Sequence, residues 1–166
     1  MFELKKLSPD AVESALEKAQ RYRLLNEPRE AASICRDVLA VDPANPRAIV
    51  TLLLSITDGF AAHQGGEVAA ARELLPQLAS EYERHYYAGI ISERRGKSIL
   101  DKRAPGCGPI VYDWLRGAME SYEKAESLRP PGNDEAILRW NTCARLIQQH
   151  DDIRPAPLER VDTMLE

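Results

Sequence analysis

Apolar residues return every three or four positions along nearly the whole chain, the spacing of helices that each bury one face. Val12, Leu16, Ala19 and Tyr22 make one stripe. Residues 28–41 repeat the spacing with Ala31, Ile34, Cys35, Val38 and Leu39, and the next stretch carries Ile49, Leu52, Leu53 and Ile56. Further on, Tyr86, Tyr87, Ile90 and Ile91 follow "SEYE", residues 80–83, whose serine and glutamate are spaced for a capping box. Ile137, Trp140, Ala144 and Ile147 form a last stripe, with Asn133 as its cap. Ser8-Pro9 and Asn45-Pro46 pair a capping side chain with a first-turn proline, and Asp42-Pro43 closes a helix. No segment alternates with the period of a strand. The pattern predicts an all-α chain of about seven helices joined mostly by short turns.

Between Gly96 and Ala118 the chain is longer than a turn requires, yet it does not read as loop. Ile99 and Leu100 on one side, and Ile110, Val111, Trp114 and Leu115 on the other, flank breakers confined to "APGCGP", residues 104–109. This predicts two helices lengthened by about two turns each, forming an extended hairpin with a stiff tip. Residues 58–67, "DGFAAHQGGE", read as a surface loop. Pro76 falls inside a helical pattern that it must kink or restart. In the tail, 150–166, Leu158, Val161 and Leu165 are spaced for a short docked helix, the alternative being a disordered end.

The helix–turn–helix–proline pattern occurs more than once. Residues 11–45 carry Ala19, Tyr22, Asn26-Glu27, Ala31, Cys35, Val38 and Pro43; residues 81–132 carry Ala88-Gly89, Ala118, Tyr122, Ala125 and Pro130. Both stretches resemble the tetratricopeptide repeat, a helical hairpin of about 34 residues that buries its apolar face only by stacking on a neighbour. The copies are diverged: the usual tryptophan and Leu-Gly pair of the first helix are replaced by Ala15 and Lys18-Ala19. A degenerate middle unit spans 46–80, and 133–149 would be a trailing helix, so that residues 1–149 form a single domain. The resemblance implies a right-handed superhelical array of antiparallel helix pairs.

The chemistry of sites is sparse. "RRGKS" lacks the earlier glycine of a phosphate loop, Ile91 standing in its place. His63, His85 and His150 have no metal-ligand spacing. Cys107, between two glycines, reads as a small residue in a tight turn with no base nearby in sequence, and Cys35 and Cys143 read as core. The pairs Glu81/Glu83 and Asp151/Asp152 read as solvated charge. No enzyme and no cofactor is predicted. The formal charge of −4 gives no electrostatic footprint for nucleic acid, and no apolar run approaches the roughly 18 residues of a membrane span. Three cysteines without a CxxC fit a reducing, cytoplasmic setting.

Function therefore rests on the resemblance, which implies a concave groove, lined by the first helix of each unit, that holds a partner's peptide or helix. Carried over by position, the groove takes Gln20 and Arg23 from the first unit and Arg47, Val50 and Leu54 from the second. Tyr86, Tyr87, Ile90, Glu93 and Arg94 come from the third unit, and Arg139, Thr142 and Arg145 from the trailing helix. Ala88 and Ile91 should turn inward. Some family members clamp a partner's C-terminal carboxylates with lysine and asparagine, but Leu16 and Gln20 stand at two such positions. Arginines beside tyrosines suit an acidic or mixed peptide. The alternative is a self-assembling adaptor that dimerises through the hairpin or the tail.

Overall fold

In the computed structural model, which describes residues 2–62 and 67–157, every regular element is helical. Seven α-helices run α1 Val12–Leu24, α2 Pro28–Val41, α3 Pro46–Asp58, α4 Glu67–Glu73, α5 Glu81–Asp101, α6 Gly108–Leu128 and α7 Glu135–Gln149. Consecutive helices pack on one another, and α1 also touches α3, as α3 touches α5. No helix among the described residues is long and apolar enough to cross a membrane.

Local chemistry explains most of the boundaries. Asn45 Oδ1 accepts from the Ala48 amide (2.9 Å), and Ser80 and Glu83 close the capping box at the start of α5. Asn133 Oδ1 accepts from the Glu135 amide at 3.1 Å to open α7. Ser8 makes no side-chain cap; a 3-10 turn over Pro9–Ala11 leads into α1 instead. At the other end of α1, Asn26 adopts the left-handed conformation (φ 59°), so that the amide of Glu27 reaches Tyr22 O at 2.8 Å and its own amide reaches Arg23 O at 3.0 Å. That paired return caps the exposed carbonyls and lets Pro28 begin α2 at once.

Of the two alternatives, Pro76 restarts the helical path and kinks no helix. α4 ends at Glu73, and Pro76 sits in the first turn of a separate 3-10 turn, Leu75–Gln77, where its missing amide costs nothing. The surface-loop reading of 58–67 needs correction over its described part. Gly59–Ala61 form a 3-10 turn that drives Phe60 into the core (3% exposed), an anchor that one aromatic among breakers does not announce.

The hairpin is as its apolar spacing predicts. α5 and α6 each run 21 residues, about 30 Å, and pair along their length around the 102–107 tip. Close approach depends on Gly89, where a Cβ would lie 2.4 Å from the buried Tyr122 ring. Ile90 and Ile91 (1% and 0% exposed) face opposite ways from α5. Ile91 belongs to a core with Ala19, Cys35, Leu53 and Phe60; Ile90 belongs to one with Val111, Leu115, Tyr122 and Cys143. α5 is thus the shared wall of both cores.

Past α7 a short strap seats itself on the hairpin. Ile153 is 3% exposed within the second core, and Asp152 O would stand 2.0 Å from a Cβ at residue 108, so only glycine admits it there. Cys107, at the start of α6, is buried beside this contact rather than displayed in a turn. The helical spacing of Leu158, Val161 and Leu165 lies outside the described residues.

Candidate functional site

Three elements meet where α1 and α3 end and α5 passes its midpoint, and an ion triad joins them. Arg23 Nε donates to Asp58 Oδ2 at 2.7 Å, while Arg94 Nη1 donates to Asp58 Oδ1 and Thr57 Oγ1, both at 2.6 Å, and to Leu54 O at 3.1 Å. Asp58 is the last residue of α3, and Arg23 lies in the last turn of α1. Cations there offset the partial negative charge of two helix C-termini. Burial pulls the Arg94 guanidinium below its ordinary value, against the upward pull of Asp58.

One residue earlier on α5, Glu93 is buried completely. Its carboxylate accepts from Tyr122 Oη at 2.6 Å, Lys97 Nζ at 2.5 Å and Arg139 Nη1 at 3.4 Å. Burial opposes the charge of Arg139, but Glu93 and a hydrogen bond with Tyr86 raise its pKa on balance. The same seam carries Tyr82 Oη to Asn133 Oδ1 and Tyr86 Oη to Glu135 Oε2, both 3.2 Å. Tyr86 stacks on Tyr82 and meets Tyr87 edge to face. α5 and α7 are therefore joined through hydroxyls and charges, while α6 and α7 combine apolar contacts with a hydrogen bond from Trp140 Nε1 to Glu123 Oε1 at 2.9 Å.

Of the groove residues expected from sequence, the structure brings Arg23, Leu54, Tyr86, Tyr87, Glu93, Arg94 and Arg139 into this continuous region. Gln20 lines an open hollow of about 430 Å³ beside Arg23, Leu24, Asn26 and Asp58. Val50 is half-buried against the first core, and Arg47 is exposed, paired with Glu13 across α1 and α3. Thr142 bonds back to Leu138 O at 2.9 Å, and Arg145 is exposed on α7. Ile90 and Glu93 do not present their side chains to a groove. Ile90 is core, and Glu93 lies beneath the surface that Lys97 and Arg139 form, each about a third exposed. Ile91 turns inward as expected, while Ala88 is only half-buried.

Sequence reasoning missed Asp58, assigned to a loop, and Lys97. The signal for Lys97 was its i,i+4 spacing from Glu93; nothing local marked Asp58. Across the region four basic side chains (Arg23, Arg94, Lys97, Arg139) face three carboxylates, Asp58, Glu93 and Glu135. The balance is positive in a chain whose formal charge is −4. Among the described residues no cluster of His, Cys, Asp or Glu could hold a metal ion. No family model matches the chain, and no curated protein or solved structure matches it either.

Proposed function

We propose that this chain is a non-catalytic protein-interaction module of tetratricopeptide type, an array of helix pairs whose inner helices α1, α3, α5 and α7 hold an acidic or mixed peptide, or a partner's helix, in a reducing cytoplasmic setting. The observation that carries the reading is the surplus of basic over acidic side chains along one strip of those helices, with three tyrosines beside it. Guanidinium groups recognise carboxylates by paired hydrogen bonds, and tyrosines add contact area at low entropic cost. The contacts of α1 with α3 and of α3 with α5 suit the stacking of first helices. The three free thiols, all buried, suit a compartment that keeps cysteines reduced.

Peptides selected from a random display library on the folded protein test this reading by calorimetry. Gln20→Trp fills the strip's hollow from an exposed position and should weaken binding about tenfold or more, a loss of about 1.4 kcal/mol. Lys124→Trp, on the exposed face of α6, should leave binding unchanged. Equal affinity of both variants and the wild type would count against the groove.

A further inference from the structure

We propose a second binding site, outside the groove, for a basic peptide segment: a guanidinium or ammonium on an apolar stem, received between the α5–α6 tip and the end of α7. A hollow of about 680 Å³ opens there, lined on one lip by Leu100, Asp101, Arg103 and Cys107 and on the other by Leu146, His150 and Asp152. That volume is in the range of formed ligand pockets, about 300–1,000 Å³.

The charged side chains of its lining leave a surplus of one carboxylate. Two aspartates against one arginine leave a formal negative charge with His150 neutral, and neither aspartate has an ion-pair partner among the described residues. Two helices, α5 and α7, end at the hollow with their carbonyl termini, while only α6 begins there. At about half a charge per terminus, the backbone adds to the negative side. A concave wall concentrates such a field on whatever enters. Leu100, Leu146 and Cys107 supply apolar surface for the stem of a long cationic side chain, which pairs an aliphatic body with a charged head.

The walls are also preformed. The tip is fixed by left-handed residues at Arg103 (φ 48°) and Gly106 (φ 75°) and by the return of the Arg103 amide to Leu100 O at 2.9 Å. The opposite lip is fixed by buried Ile153 and by the backbone contact at Gly108. Little order has to be created on binding, which favours affinity.

An amide-resolved NMR titration of the full chain tests the site with two blocked tripeptides, leucyl-arginyl-leucine amide and its glutamyl counterpart. The arginyl peptide should give saturable shifts at 100–107 and 146–152, and the glutamyl peptide none. Asp101→Asn combined with Asp152→Asn should weaken binding tenfold or more, and Arg103→Ala should tighten it. Absence of saturation at millimolar peptide, equal response to both peptides, or insensitivity to the aspartate pair overturns the proposal. Both aspartates are exposed and the replacements isosteric, so the folded spectrum serves as the internal control.

Discussion

The phenol of Tyr122 donates to Glu93 Oε2 at 2.6 Å across the α5–α6 hairpin, with both side chains buried. A carboxylate so deep is tolerable only because Lys97 and Arg139 also reach it, so each partner is held at a cost if another is removed. Tyr122→Phe should destabilise the fold by about 1–3 kcal/mol, the range for a lost bond to a buried charge. Glu93→Ala should cost more, about 2–5 kcal/mol, because it leaves a cavity and a buried phenol with no acceptor. Urea midpoints of the two variants check the order; a Glu93→Ala as stable as wild type would contradict it.

Two glycines on the hairpin should respond oppositely to alanine. At Gly89 a Cβ would meet three atoms of the confined Tyr122 ring within 2.8 Å, and overpacking of this kind costs about 1–3 kcal/mol. At Gly117, inside α6, nothing lies within 4 Å, so Gly117→Ala should gain up to about 1 kcal/mol of helix propensity. Thermal melts read both. Matching signs would mean that the helices do not approach at Gly89 as described.

Alkaline pH should weaken the fold through its thiols. Burial pushes Cys35 from its ordinary 9.0 up to about 11, and burial with the Glu93 charge pushes Cys143 up to about 12. Below pH 9 both states hold these protons, and the contribution is complete. As pH rises further, the unfolded chain loses them first, so the native state binds more protons and stability falls. Urea midpoints taken from about pH 8 to about pH 10.5 should decline, and Cys35→Ala with Cys143→Ala should flatten the decline. An unchanged slope in the double variant would place the titration elsewhere, for example at Tyr87, which burial pushes up to about 12.

The strap should behave as part of the second core. Ile153→Ala should cost about 2–5 kcal/mol, as truncation of a core isoleucine does, and Gly108→Ala should displace the strap by clashing with Asp152 O. Hydrogen exchange at the Ile153 amide, bonded to His150 O at 3.0 Å, reports on docking. Slow exchange in Gly108→Ala would show that the strap does not depend on this contact.

Helices were legible in the sequence wherever burial is periodic, and caps wherever donor and acceptor are three residues apart, as at Asn45 and Ser80. The hairpin was legible too, because its apolar spacing continues on both sides of one breaker cluster. Other features depend on partners far along the chain. Glu93 meets Tyr122 at a separation of 29 residues and Arg139 at 46, so its local pattern placed it on a surface. Phe60 and Ile153 anchor short non-repetitive segments, where one apolar residue has no period to reveal it. The resemblance put Arg94 in a groove, and nothing local marked it as the tie that holds the end of α3 through Asp58, Thr57 and Leu54.

The central claim is that the inner face of α1, α3, α5 and α7 is the binding surface. Amide chemical-shift mapping with a display-selected peptide, on the full chain, tests it most directly. Shifts at Gln20, Arg23, Leu54, Tyr87 and Arg139 should saturate together, with α2 and the outer face of α6 silent. Shifts confined to α2, α4 and α6, with those five residues unmoved, would contradict it.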